Sequence, residues 1–120
     1  MNSVKIVVAG IMIAALILVP LAVYLIILDH SQEISQEQTI TSLYTRGQMF
    51  VDRGDSQEAL GSFLGIIDKD PSQEKAWHEA GKIMNRYEMC AQSLQHYWEY
   101  VERFPGSVRG QEGYEIAKMC

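Results

Sequence analysis

The first 28 residues hold no acidic side chain and one basic side chain, Lys5, while all fifteen carboxylates and nine of the ten Lys and Arg residues follow. Two materials are thus joined end to end, and the polar one is net acidic. Its nine basic residues are outnumbered by fifteen carboxylates, which argues against nucleic acid as a partner, because affinity for phosphate backbones rests mainly on clustered Lys and Arg. Histidine is scarce. His30, His78 and His96 are scattered, no pair has metal-ligand spacing with a third donor, and they read as polar surface or groove residues. The two cysteines form no haem-attachment motif, and the sequence has neither a glycine-rich phosphate loop nor a Gly-x-Ser-x-Gly elbow. The carboxylates fall mostly on expected exposed faces or at helix starts, where they favour the helix dipole. No enzymatic activity, cofactor, metal or small-molecule substrate is expected.

The one long hydrophobic run, Ile6 to Leu28, contains no charge and only Gly10, Pro20 and Tyr24 outside the plainly apolar set. As a helix it spans roughly 34 Å, enough for a bilayer core of about 30 Å. A cleaved signal peptide would have a shorter apolar region, about 7 to 15 residues, ending at small residues. This run instead passes through Leu25-Ile26-Ile27-Leu28 into Asp29-His30, as an uncleaved signal anchor does. No cysteine near it offers a lipoprotein attachment point. Pro20 removes a backbone donor and can kink the helix, which bilayers tolerate where neighbouring groups re-satisfy the carbonyl. Ala9, Gly10, Ala14 and Ala15 give small-residue spacing that lets membrane helices approach closely, though such spacing is common by chance. Lys5 precedes the run and the next basic residue is Arg46, so the positive-inside rule puts the N-terminus in the cytoplasm and the rest outside it, in the periplasm if the source is bacterial.

From Ile40 onward the sequence repeats itself. Pro71 and Pro105 are 34 residues apart, as are Gly47 and Gly81. On that alignment Leu43 falls over Trp77, Phe50 over Met84, Ala59 over Ser93, Phe63 over Tyr97 and Ile66 over Tyr100. A fixed period of this length suggests stacked helix pairs. The first unit carries Leu43, Gly47, Phe50, Gly54, Ala59, Phe63 and Pro71. The second carries Trp77, Ala80, Gly81, Tyr97 and Pro105, departing at Ser93 for the usual Ala and at Glu88 for the loop glycine. The segment from about Ile40 to Gly106 resembles two tandem tetratricopeptide repeats, with Ser107 to Cys120 as one further, incomplete helix.

The expected architecture is all-α: a membrane segment in residues 1–28, a juxtamembrane linker at 29–39, and a repeat-like α-solenoid at 40–120, with units at about 40–73 and 74–107 and a capping helix at about 107–119. Helices are expected near Ser42–Arg53, Ser56–Lys69, Gln73–Tyr87, Cys90–Arg103 and Ser107–Lys118. Gly47, Gly81, Ala59 and Ser93 allow close helix approach and the large residues fill the space between. Asp55 with Glu58 reads as a capping box after a turn at Gly54. The linker lacks Gly and Pro and could be helical, against which its β-branched cluster Thr39-Ile40-Thr41 argues mildly.

The resemblance also implies a site. First helices of successive units line a concave groove, here Tyr44, Gln48 and Val51 with Lys75, His78, Lys82 and Asn85. Lys75, His78 and Lys82 make a local basic face suited to an acidic or C-terminal segment of a partner protein, with the alternative that these side chains are merely solvated. The family's carboxylate-clamp pattern is absent, since Tyr44 and Glu79 stand where it wants basic residues. Family stacking brings Cys90 and Cys120 to adjacent helix ends, either bridged or as one buried and one free thiol. The implied function is a scaffold or assembly subunit that binds other proteins, subunits of a membrane complex, while its helix sits in the lipid bilayer. The alternative is a client-capturing factor for protein targeting or cytochrome maturation.

Overall fold

A computed structural model describes residues 2–120, in which every regular element is helical: α1 (Asn2–Arg53), α2 (Ser56–Lys69), α3 (Glu74–Arg86), α4 (Cys90–Arg103) and α5 (Val108–Lys118). The chain divides into two units, Met1–Glu37 and Gln38–Cys120. Among the described residues of the first unit every side chain is exposed, and α1 is the one helix long and apolar enough to cross a membrane. Ala9, Gly10, Ala14 and Ala15 lie exposed on it, with no atom within 4 Å of a Cβ built at Gly10. The linker residues are helical. The Thr39-Ile40-Thr41 cluster does not interrupt α1, because Ile40 is buried in the core and the Thr45 hydroxyl donates back to the Thr41 carbonyl at 3.1 Å. Burial here outweighs a mild local preference.

Within the second unit the helices pair through glycine. The Phe63 ring of α2 lies on Gly47 of α1, where a Cβ would come within 2.7 Å of it, and Leu43 reaches Gly65. The Tyr97 ring of α4 occupies the gap at Gly81 of α3, and the same ring fills the gap at Gly113 of α5. Tyr100 lies against Gly110, where a Cβ would meet its ring at 2.7 Å. Along α1 and α2, α3 and α4, and α4 and α5, contact positions rise on one helix as they fall on the other, so each pair is antiparallel. α2 also packs on α3, and α5 on α3. The core is built from Ala59, Leu60, Phe63, Ile66, Ala76, Ala80, Ile83 and Met84, continuing into Trp77, Tyr97, Tyr100 and Ala117. Burying each large side chain is worth about 1.5–3 kcal/mol.

The turns depart from one expectation. Asp55 precedes α2 but makes no side-chain capping bond. Its amide is already taken, because Gly54 adopts φ 80° and the chain closes α1 with Asp55 N–H donating to Phe50 O (2.9 Å) and Gly54 N–H to Val51 O (3.1 Å). That closure leaves no orphan donor for Glu58 to reach. The same closure ends α3, with Met89 N–H to Met84 O (2.9 Å) and Glu88 N–H to Asn85 O (3.3 Å). There Glu88 itself takes φ 53°, at the place where the first unit has Gly54.

Polar bonds fix α5. Glu74 Oε1 accepts from the Tyr100 hydroxyl (3.0 Å) and the Ser107 hydroxyl (2.5 Å), and Ser107 Oγ in turn accepts from Gly110 N–H (3.2 Å) as the cap of α5. The Ser107 bond first, then the Tyr100 bond, hold the Glu74 carboxyl below its ordinary range.

Candidate functional site

α1 and α3 border an open surface groove of about 720 Å³ in the second unit. Helical spacing puts Tyr44, Gln48 and Asp52 in one row of α1, and Thr45, Met49 and Arg53 in the next. α3 contributes Lys75 and Glu79, four residues apart, and Phe63 of α2 forms part of the lining. Lys75 Nζ stands 5.2 Å from the Tyr44 ring centroid, a cation–π contact, and Tyr44 leans on Phe63 at 6.3 Å between centroids. The Tyr44 hydroxyl is buried without a hydrogen-bond partner of ordinary geometry. Burial raises its phenol above the ordinary 10.0, against a weaker lowering by the Ala76 backbone. Gln48 donates its amide to Asp52 at 3.1 Å. The groove therefore combines the Tyr44 and Phe63 rings and Met49 with the charged side chains of Asp52, Arg53, Lys75 and Glu79.

The seven residues that the family pattern assigns to a groove separate here. Tyr44, Gln48 and Lys75 line it. Val51 turns inward, half-buried against the core. Asn85 brackets three helices, accepting from the Ser93 hydroxyl on α4 and donating to the Gly113 carbonyl on α5 at 3.4 Å. Lys82 is paired with Glu79 at 2.9 Å. His78 is half-buried with its Nδ1 enclosed and unpartnered, and burial, then the nearby Lys82 charge, lower its pKa. The expected basic face is thereby divided, and Lys75 is the member of it that reaches the groove. Thr45, Met49, Asp52, Arg53 and Glu79 complete the lining, and their i, i+4 spacing from Thr45 to Arg53 and from Lys75 to Glu79 was the signal that could have found them.

A second feature lies on the outer side of α4, where Leu94 and Trp98 are 40% and 52% exposed and Trp98 borders a shallow depression with Glu99, Glu102 and Arg103. The indole of Trp77, by contrast, is buried. It donates to the Pro71 carbonyl at 2.9 Å and stacks on His96, whose Nε2 lies 2.8 Å from the Trp77 carbonyl. Cys90 and Cys120 are joined as a disulfide with α-carbons 5.6 Å apart. Among the described residues no three His, Cys, Asp or Glu side chains converge on a point that could hold a metal ion. Compared with protein families and with curated proteins, the chain matches no family model and no curated sequence.

Proposed function

We propose that this chain is a membrane-anchored scaffold or assembly subunit of tetratricopeptide type, holding partner proteins beside a membrane complex through the groove between α1 and α3. The observation that carries this reading is the repeated packing unit, in which an aromatic of the second helix seats on a glycine of the first, Phe63 on Gly47 and Tyr97 on Gly81, at an interval of 34 residues. A groove with an aromatic floor and a small number of placed charges suits an extended or helical segment of another protein better than a small polar substrate. In this reading the apolar part of α1 spans the bilayer with its N-terminus in the cytoplasm, and the helices that follow act outside it.

The test is affinity purification of the full chain in mild detergent followed by mass spectrometry, wild type beside a Gln48→Ala/Lys75→Glu variant. Both positions are exposed, so helical content should be unchanged while partners are lost. Membrane proteins recovered in stoichiometric yield from the wild type support the scaffold, and many low-abundance clients support the capture factor instead. Undiminished partners with the variant would move the interface off the groove. Topology is tested by Gln32→Cys, which an impermeant reagent should label on intact cells; labelling only after lysis would reverse the orientation.

A further inference from the structure

α5 is attached differently from the other helices of the second unit. Its buried residues are Gly110, Gly113 and Ala117, whereas Val108, Ile116 and Met119 are more than half exposed. α2 buries Leu60, Phe63 and Ile66; α3 buries Trp77, Ile83 and Met84; and α4 buries Tyr97 and Tyr100. α5 thus presents mostly gaps where its neighbours present side chains: its one large contact, Tyr114, is only half-buried against the cluster, and the rest of its seat is filled by the Tyr97 and Tyr100 rings of α4. Its polar attachments are the Ser107–Glu74 bond at one end and the long Asn85–Gly113 bond in the middle. Covalently it is tied at both ends to α4: by the short connection through Phe104 to Ser107, and by Cys120, which bonds to Cys90, the first residue of α4. Both cysteines are exposed to solvent.

We propose that the Cys90–Cys120 bond is a redox-operated clasp, whose reduction releases α5 from α3 and α4 and uncovers an aromatic slot formed by Trp77, Tyr97 and Tyr100. The step needs a dithiol reductant, small or protein. Its thiolate attacks one cysteine sulfur, the Sγ–Sγ bond breaks, and the departing thiolate takes up a proton. The reductant's second thiol then displaces the first cysteine from the mixed disulfide, leaving both cysteines as thiols and the reductant as a disulfide, two electrons having passed. A bridge across 30 residues favours the folded over the unfolded chain by roughly 10²- to 10³-fold on chain-entropy grounds, and part of that restraint acts on release of α5 alone. For α2, α3 and α4, buried side chains supply the anchoring, so the loss falls selectively on α5. The clasp is independent of the groove reading, because the groove residues belong to α1, α2 and α3.

Hydrogen exchange followed by mass spectrometry on the full chain in detergent micelles tests this, comparing oxidised protein, protein treated with dithiothreitol, and a Cys90→Ser/Cys120→Ser variant. Reduction should speed exchange across residues 108–118 at least about tenfold while peptides of α2 and α3 keep their protection. The double variant should match the reduced wild type and be indifferent to dithiothreitol, which separates bond cleavage from any other effect of the reagent. Unchanged protection in α5 would overturn the clasp. An equal loss across α2 to α5 would overturn it as well, by making the bond a general staple.

Discussion

The same substitution, Gly→Ala, should act with opposite sign at two positions of this chain. Gly61 lies on the exposed side of α2, and a Cβ built there meets nothing within 4 Å. Alanine at that place gains helix propensity worth up to about 1 kcal/mol. Gly113 lies inside α5 with the same propensity gain on offer, but a Cβ there would overlap the Tyr97 ring, which is 2% exposed. The ring cannot retreat, because its other side already fills the gap at Gly81 on α3. Overpacking of a well-filled core costs about 1–3 kcal/mol, and a ring hemmed in on both sides belongs near the upper end. The net for Gly113→Ala is then a loss of about 1–2 kcal/mol, and the two variants should differ by about 2–3 kcal/mol. For a unit of roughly 60–100 residues each kcal/mol moves Tm by about 4–8 °C. Thermal unfolding followed by far-ultraviolet circular dichroism, in the same detergent for all three proteins, should place Gly61→Ala above wild type and Gly113→Ala clearly below it. If Gly113→Ala melts at or above wild type, the packing of Tyr97 between α3 and α5 is wrong.

Glu88→Gly should stabilise the second unit by about 0.5–1 kcal/mol in the same melts, because a left-handed residue with a Cβ costs about 1–2 kcal/mol and glycine returns part of that as unfolded-state entropy. Glu88→Ala, which keeps the Cβ, should not. His96 is buried and its pKa is lowered chiefly by that burial, against a raising effect of the Trp77 carbonyl. The unfolded chain therefore binds a proton near the ordinary 6.5 that the folded chain excludes, so stability should fall as pH drops from about 6.5 toward the folded value. Denaturant midpoints should show that slope in wild type and a reduced slope in His96→Gln. Glu74, held low by Ser107 and Tyr100, stabilises the fold above the ordinary carboxylate range and loses that contribution as pH falls through its lowered value. Glu74→Gln should flatten the acid limb of the same titration.

The helix spans were legible because the residues that set them are extreme. Prolines at 71 and 105 stop helices, and small residues at Gly47 and Gly81 recur with large ones at Phe63 and Tyr97, so contact partners could be paired by spacing. α2 and α4 have the expected bounds, α3 is shorter by one residue at each end, α5 starts one residue later than expected, and α1 keeps its expected end at Arg53. What spacing could not settle were competitions for a single group. The capping box at Asp55 and Glu58 requires a free Asp55 amide, and the closure at Gly54 takes that amide first. Thr39 to Thr41 weakens a helix in isolation, yet burial of Ile40 decides the matter and depends on partners distant in sequence.

The groove was half legible for a related reason. A family pattern assigns positions by helix face, but a side chain on the boundary of that face goes wherever its chemistry is better satisfied. Val51 is apolar and turns toward the core. Asn85 can both donate and accept, and lies where a hydroxyl on α4 and a carbonyl on α5 ask for both, so it becomes a bracket between helices. Lys82 finds Glu79 one turn away on its own helix. Among the described residues no carboxylate lies within ion-pairing distance of Lys75, and its ammonium rests over the Tyr44 ring. On the proposed scaffold reading, a cation held by a ring face and without a counter-ion among the described residues is the groove charge that an acidic partner segment would reach at least desolvation cost, so Lys75→Glu is the substitution expected to weaken partner recovery most.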